Sequence, residues 1–465
     1  MRHRLLISLL VIIALFEGYL LIRASSQRSV DRDVSPPVRN EFPDDFLDTK
    51  QTDTYGRLKR YLDGVRAIDT HDHLEFESLS GLFQLWRESY FGRHLKDLGG
   101  SQHNLPVEQW WEPAQAAFDN GRATCFYRYQ LPALQDLYGV DFRRLTLDGA
   151  RQLDEQIRKN YEDPQWIEHV VTERANIELV LIDYDHEPYD YDCPHDFGVF
   201  VMRVNPLVRG FHPDEYDKPI ESPYYYAAHD NLPLNSLKDY VEVLDHIVQI
   251  AMSHGAVGMK STLAYQRTLH FERVTYEEAA QVFGKRRSQL EPRQIKAFED
   301  FVFWRLCELS AKYDLPFQIH TGAALERSNP LHLENVLAAH SETRFILFHG
   351  GFPWVGETGA ILLRFPDNVW IDSNWLPTLS YVMAKRAYHE WLDVVPANRI
   401  MWGTDVKHAE GIYAAAEITR QCLAEVLAER VIRGELFEDH AERIGRLILR
   451  ENALEVFPRL SRRLK

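Results

Sequence analysis

At 465 residues and 45% hydrophobic content, the chain has room for one large α/β barrel or two medium domains. Its 69 acidic against 53 basic side chains argue against a general nucleic-acid surface and fit poorly with adhesion to anionic lipid, both of which want clustered Lys and Arg. A small molecule, neutral or locally accommodated, is the expected partner.

Residues 1–26 differ from the rest. Arg2, His3 and Arg4 precede the apolar run 5–16, then Glu17, Gly18 and a second apolar patch at 19–22. A basic start before an apolar stretch of this length reads as an export signal. Ala24-Ser25-Ser26 supplies small residues for cleavage, but Arg23 is a poor neighbour for it. The alternative is an uncleaved membrane anchor, since the run approaches the ~17 residues of a minimal span. Both readings place the protein outside the cytoplasm or on a membrane through this segment alone. No Cys lies nearby to take a lipid. Residues 27–50, with Pro36, Pro37 and many charges, read as a solvated linker, and residues 51–465 as one domain.

Within that domain, short β-rich apolar runs alternate with longer helical patterns, as in a parallel sheet. The runs are 66–74, 177–183, 199–204, 256–265, 316–321, 345–350, 369–374 and 400–406. Several are almost continuous in Val, Ile, Leu and Phe, which suits strands buried on both faces. Helical spacing places Leu237, Tyr240, Val241, Leu244, Ile247, Val248 and Ala251 on one face, and a second such pattern runs from Phe298 to Leu309. A last helical stretch covers 440–457. Pro188 and Pro194 leave the link between the second and third runs without helical period. About a hundred residues rich in Trp, Tyr and Arg separate the first run from the second, an insertion expected to cover the catalytic face of a (β/α)8 barrel. Cys125, Cys193, Cys307 and Cys422 lack metal-type spacing. An oxidising compartment would permit a disulfide, but their pairing is open; Cys307 and Cys422 read as small core residues.

The chemistry lies at the C-terminal ends of these runs. The first ends Asp69-Thr70-His71-Asp72-His73, with both His side chains expected on one side of the strand. The fourth contains Lys260, the fifth ends in His320, the sixth in His349 and the eighth in Gly403-Thr404-Asp405. One His at a strand end is usually a hydrogen-bonded structural residue, and Asp405 alone could cap a helix. Four His and one Asp at the ends of strands one, five, six and eight point instead to a metal. Three imidazoles and a carboxylate suit Zn²⁺ first, with Mn²⁺ or Fe²⁺ as alternatives, over Mg²⁺ or Ca²⁺.

These residues, together with Phe348-His349-Gly350-Gly351 and the late Asn452-Ala453-Leu454, resemble the amidohydrolase superfamily, in particular its amidohydrolase-related family 2 branch, over roughly residues 60–458. The resemblance implies a (β/α)8 TIM barrel with a catalytic divalent metal. It implies His71, His73, His320 and Asp405 as ligands, Asp405 also as proton acceptor, and His349 as a ligand or a group that orients water. Hydrolysis of a C–N or ester-type bond is the expected reaction; a decarboxylase or a uronate-isomerase-like enzyme on the same site is the alternative. In two-metal relatives a fourth-strand Lys is carbamylated. Here Lys260 reads more simply as an ammonium that pairs with a substrate carboxylate or a structural Asp. Further expected pocket residues are Arg267, Arg122 and Trp354, with Tyr127, Arg128, Tyr265, Asn374, Trp375 and His408 beside them; the Arg and aromatic side chains suit a carboxylate-bearing or ring-containing substrate.

Overall fold

Each apolar run becomes a parallel strand, because a strand without a wet face must be covered on both sides. In chain order they are β1 (Ala67–Asp72), β2 (Ile177–Ile182), β3 (Gly198–Phe200 and, past Val201, Met202–Arg203), β4 (Met259–Ser261), β5 (Phe317–Ile319), β6 (Phe345–Leu347), β7 (Val369–Asp372) and β8 (Ile400–Met401). The computed structural model describes residues 48–464, apart from 77–78, 100–101, 103, 184–188, 190–192, 216–220 and 324–325. The expected export segment, and all but the end of the linker, lie outside the described residues. Among those described, no helix is long and apolar enough to cross a membrane.

Each strand pairs in parallel with the next. At Val201 the pairing passes from β2 to β4: the Val201 amide donates to Ile182 O at 3.2 Å and the Met202 amide to Gly258 O at 2.9 Å. The ring closes between β8 and β1, where the amides of Thr70, Asp405 and His73 donate to Trp402 O, His71 O and Val406 O at 3.2, 3.0 and 2.9 Å. A closed ring leaves no sheet edge exposed.

Alternate residues fill the ring. Ile68, Leu179, Leu181, Val199, Val201, Ile346, Trp370 and Met401 form an inner core, with Val456, Phe457 and Leu460 of the final helical stretch packed into it. Their neighbours along the strands, such as Val180, Ile182 and Phe317, face the outer helices. The helix Leu237–Ser253 starts at a capping box between Ser236 and Asp239 and buries the expected face, with Val243 fully inside and Val241 at the stripe's edge. The helices Pro292–Tyr313, Val355–Arg364, Tyr381–Val394 and Ala409–Ile432 follow β4, β6, β7 and β8. Between β2 and β3 no helix occurs among the described residues, as the two prolines suggest. The four cysteines are free, with Cys307 and Cys422 buried.

The insertion, residues 75–176, is helical and has its own aromatic centre. The Trp86 ring lies 5.1 Å from Phe118, 5.5 Å from Tyr127 and 4.7 Å from Phe142. Buried Glu410, at the start of the helix after β8, fastens the insertion to the barrel: it accepts from Tyr138 Oη at 2.6 Å, Tyr161 Oη at 2.7 Å and Trp166 Nε1 at 3.1 Å. Such charge-assisted hydrogen bonds are among the stronger ones a fold contains.

Candidate metal centre

Strict alternation from the inward Ile68 would turn His71 away from the ring's interior. A bulge prevents this. Asp69 pairs with Val180 and Asp72 with Ile182, so β1 spends one residue more than β2 over the interval. The extra residue reverses the alternation and aims His71 at the rim, a common use of a bulge beside an active site.

His71 Nε2 and His73 Nε2 each lie 3.4 Å from the same oxygen, Asp405 Oδ1. Ligand atoms of the three residues all fall within 4.8 Å of one another. His73 Nδ1 is 2.5 Å from Asp183 O; a carbonyl only accepts, so Nδ1 carries a proton and Nε2 is the nitrogen left to face Asp405. Burial is the main cause of a His71 pKa pushed down to about 3, so that ring is neutral at pH 7. Burial works to raise the Asp405 pKa, but the His71 contact and the neighbouring His349 and His73 hold it well below the usual range. Two imidazoles and an ionised carboxylate whose ligand atoms converge within 4.8 Å fit a divalent cation.

Across the pocket the pattern differs. His349 Nδ1 faces two acceptors, Asn374 O at 3.3 Å and Asp405 Oδ2 at 3.6 Å, so it is the protonated nitrogen. Its Nε2 then accepts from His320 Nδ1 at 3.0 Å. His320 Nε2 is left as a bare lone pair, buried without a partner. Burial pushes the pKa of His349 down to about 4 and that of His320 further below its usual value. His320 lines the pocket but stands outside the group of three whose ligand atoms lie within 4.8 Å.

Lys260 is buried, with Nζ 3.4 Å from His71 Nε2 and 3.4 Å above the Phe348 ring. Burial lowers its pKa to about 8, against the pull of Asp183 and Asp405. The pocket, about 300 Å³, is lined by these groups together with Tyr90, Arg203, Thr262, Tyr265 and Trp375. His349, Trp375 and Asp405, at the ends of β6, β7 and β8, all adopt left-handed backbone (φ 59, 61 and 57). Non-glycine residues in that region mark imposed conformations and cluster at functional sites.

Six expected pocket residues are not brought there. Arg267 is turned into the wall between barrel and helix, where Nη1 meets Glu299 Oε2 at 2.9 Å and Nη2 pairs with buried Asp300. Arg122 is exposed and bound to Asp119 one helical turn away, at 2.6 Å. Trp354, half-buried after the Gly350-Gly351 turn, is not among the residues that line the pocket, and its amide donates to Gly351 O at 2.8 Å. Tyr127 is packed into the insertion's aromatic centre and Arg128 is exposed. His408 caps the helix after β8 through Nδ1, which accepts from the Gly411 amide at 3.0 Å.

Arg203 was not singled out from sequence, though a signal exists: it is a charged residue within the apolar run 199–204 of a strand buried on both faces. Asp183 holds it, accepting from Nε at 2.9 Å. Tyr90, inside the long insertion, carries no such mark.

The chain thus forms a closed (β/α)8 ring with His-x-His at the end of its first strand and Asp at the end of its eighth. The family model described as Amidohydrolase, the family 2 branch, matches residues 263–459, so the chain carries that family's sequence pattern from the end of β4 to its last helices. Uronate isomerase from Thermotoga maritima shares the fold at a TM-score of 0.71 and 15% identity, over 89% of this chain and 99% of that one. Glucuronate isomerase from Caulobacter crescentus does so at 0.72 and 15%, over 90% and 95%. A metal-dependent hydrolase from Lactobacillus casei reaches 0.61 and 17%, over 88% and 99%. Among curated proteins, Protein fluG of Emericella nidulans is 30% identical over 149 residues, which are 30% of this chain. The matched stretch spans 17% of the length of that protein.

Proposed function

We propose that the protein is a metal-dependent hydrolase that cleaves a C–N or ester-type bond of a small, carboxylate-bearing substrate. The observation that carries this is the convergence of His71 Nε2 and His73 Nε2 on one oxygen of an ionised Asp405 at the base of the pocket. His71, His73 and Asp405 would hold the cation, Zn²⁺ by preference, with His320 Nε2 available beside them. When bound there, a divalent cation polarises a substrate carbonyl and makes water a stronger acid. Asp405 accepts the proton of the attacking water and returns it to the leaving nitrogen or oxygen. His349, fixed by Asn374 O, keeps an N–H beside Asp405 Oδ2 and so holds that oxygen in place. Among the described lining residues Asp405 is the single carboxylate, whereas Lys260 and Arg203, the latter paired with Asp183 behind it, are cations, so the pocket suits an anionic substrate. Tyr265 and Trp375 add ring walls.

The same two cations support a second reading, isomerisation of a uronate, the substrate class named for two of the barrels of like fold. Export through residues 1–26, with the segment removed or kept as an anchor, belongs to the proposal on the strength of its basic-then-apolar pattern. The test is metal analysis of the purified protein, followed by a panel of amides, lactones, uronates and aromatic acids in ¹⁸O-labelled water. Label in a cleaved product supports hydrolysis. An isomerised uronate, or CO₂ released with the other fragment unlabelled, overturns it in favour of an isomerase or a decarboxylase.

A further inference from the structure

We propose that Tyr90, carried by the helical insertion, is a positioning residue that sets the angle at which Asp405 presents its carboxylate to His71 and His73. The proposal rests on the reading above that these three residues hold a cation.

Asp405 sits at φ 57, a conformation that a residue with a Cβ keeps only where its surroundings enforce it. The amides of this turn are tied back to β1. That of Thr404 donates to Asp69 Oδ1 at 3.0 Å, that of Asp405 to His71 O at 3.0 Å, and that of Val406 to Asp72 Oδ2 at 2.9 Å. The Asp405 carbonyl is tied the other way and accepts from the Tyr90 hydroxyl at 2.5 Å. The two sets of bonds bracket the residue and fix its backbone from both ends.

Packing does not do this alone. Behind the turn lies a chamber of about 90 Å³, whose walls include His73, Tyr90, Tyr129, Asp405 and His408. A turn with a void on one side has room to relax, and the hydrogen bond from Tyr90 opposes that relaxation. The Tyr90 ring has a second role as part of the wall that it shares with His73 and Asp405 between this chamber and the substrate pocket. The ring is held independently, 5.1 Å from Trp375 and 5.3 Å from Phe126. Removing the hydroxyl alone therefore separates the two roles. Both imidazoles face one oxygen of Asp405, so a small rotation of the residue spoils both approaches together.

The experiment uses the full chain and its Tyr90→Phe variant, with Zn²⁺ affinity measured by chelator competition and the visible spectrum of the Co²⁺-loaded protein recorded. Loss of a bond that orients a ligand typically weakens metal binding by about 10–100-fold; that loss, with an altered Co²⁺ spectrum and an unchanged melting temperature of the metal-free protein, is expected. Tyr138→Phe is the comparison, because its hydroxyl also ties the insertion to the barrel, donating to Glu410 at 2.6 Å, but does not touch Asp405. It should bind as wild type does. Wild-type affinity and spectrum in Tyr90→Phe, or an equal loss in Tyr138→Phe, overturn the proposal while leaving the cation site standing. A wild-type protein that takes up neither Zn²⁺ nor Co²⁺ overturns both.

Discussion

The two sides of the pocket hold the same kind of side chain in opposite states. At the seam of β1 and β8, two imidazoles converge on one carboxylate oxygen, each with Nε2 at 3.4 Å. On the side of β5 and β6, two imidazoles are coupled to each other, His320 donating to His349 and His349 to a carbonyl. A carboxylate flanked by two imidazoles suits a cation, which can engage all three groups at once. An imidazole pair instead satisfies itself, apart from one leftover lone pair on His320. Position at a strand end thus does not make all four histidines equivalent; what each second nitrogen bonds to decides its use.

The sharpest way to break this comparison is to remove one residue from each side. Asp405→Asn should lower turnover by roughly 10²–10⁴-fold, as expected for loss of a positioned base, and should abolish tight Zn²⁺ uptake. His320→Gln should retain the metal with a loss of affinity below about tenfold, the low end of effects seen outside the ligand set. If His320→Gln loses metal as completely as Asp405→Asn, the seat has four residues and the contrast between the sides fails. Chelator competition on both variants decides it.

A second contrast sets this electrostatics against that of the barrel wall. Arg267 neutralises Glu299 and the fully buried Asp300. Arg267→Ala would leave those carboxylates short of a cation, with only Lys296 and the more distant Arg209 in part compensating. A destabilisation of about 3 kcal/mol is expected, read by denaturant unfolding. Zn²⁺ affinity should not change, which separates a wall residue from a pocket residue.

Much of the fold was legible because strands buried on both faces are mostly apolar, and all eight strands fall on the runs read from the sequence, β3 starting one residue ahead of its run. His71, His73, Lys260, His320, His349 and Asp405 were legible for the same reason, since each is a polar residue at the end or within such a run. Arg203 fits the same rule and could have been found by it. Arg122, Arg267 and Trp354 were misplaced because they lie beyond the strands, where chain direction depends on turns such as Gly350-Gly351 and on ion pairs across the fold. Tyr90 was hidden more deeply: its contact joins residues 315 positions apart through an insertion whose path no local pattern specifies. The bulge in β1 was likewise invisible: alternation predicts only that His71 and His73 share a side of the strand, and the extra residue turns that side toward the rim.

Smaller effects test the state of the imidazoles in the metal-free protein. The His349 pKa falls from an ordinary 6.5 to about 4 on folding, with burial the main cause. Between those values the unfolded chain takes up a proton that the folded chain refuses, so this residue costs stability as pH falls and contributes no such loss above 6.5. Buried Asp69 and Asp372 act oppositely: burial raises their pKa values to about 7 and about 6, so over the same range they favour the folded state as pH falls. The bulk pH profile therefore mixes both signs, and the informative quantity is a difference. Relative to His349→Gln, the wild-type protein should lose about 1.4 kcal/mol of stability for each pH unit between 6.5 and 4, measured by urea unfolding after metal removal. A difference flat with pH would mean that His349 is protonated in the fold. It would then donate from both nitrogens, His320 would have to accept, and the asymmetry between the two sides of the pocket would disappear.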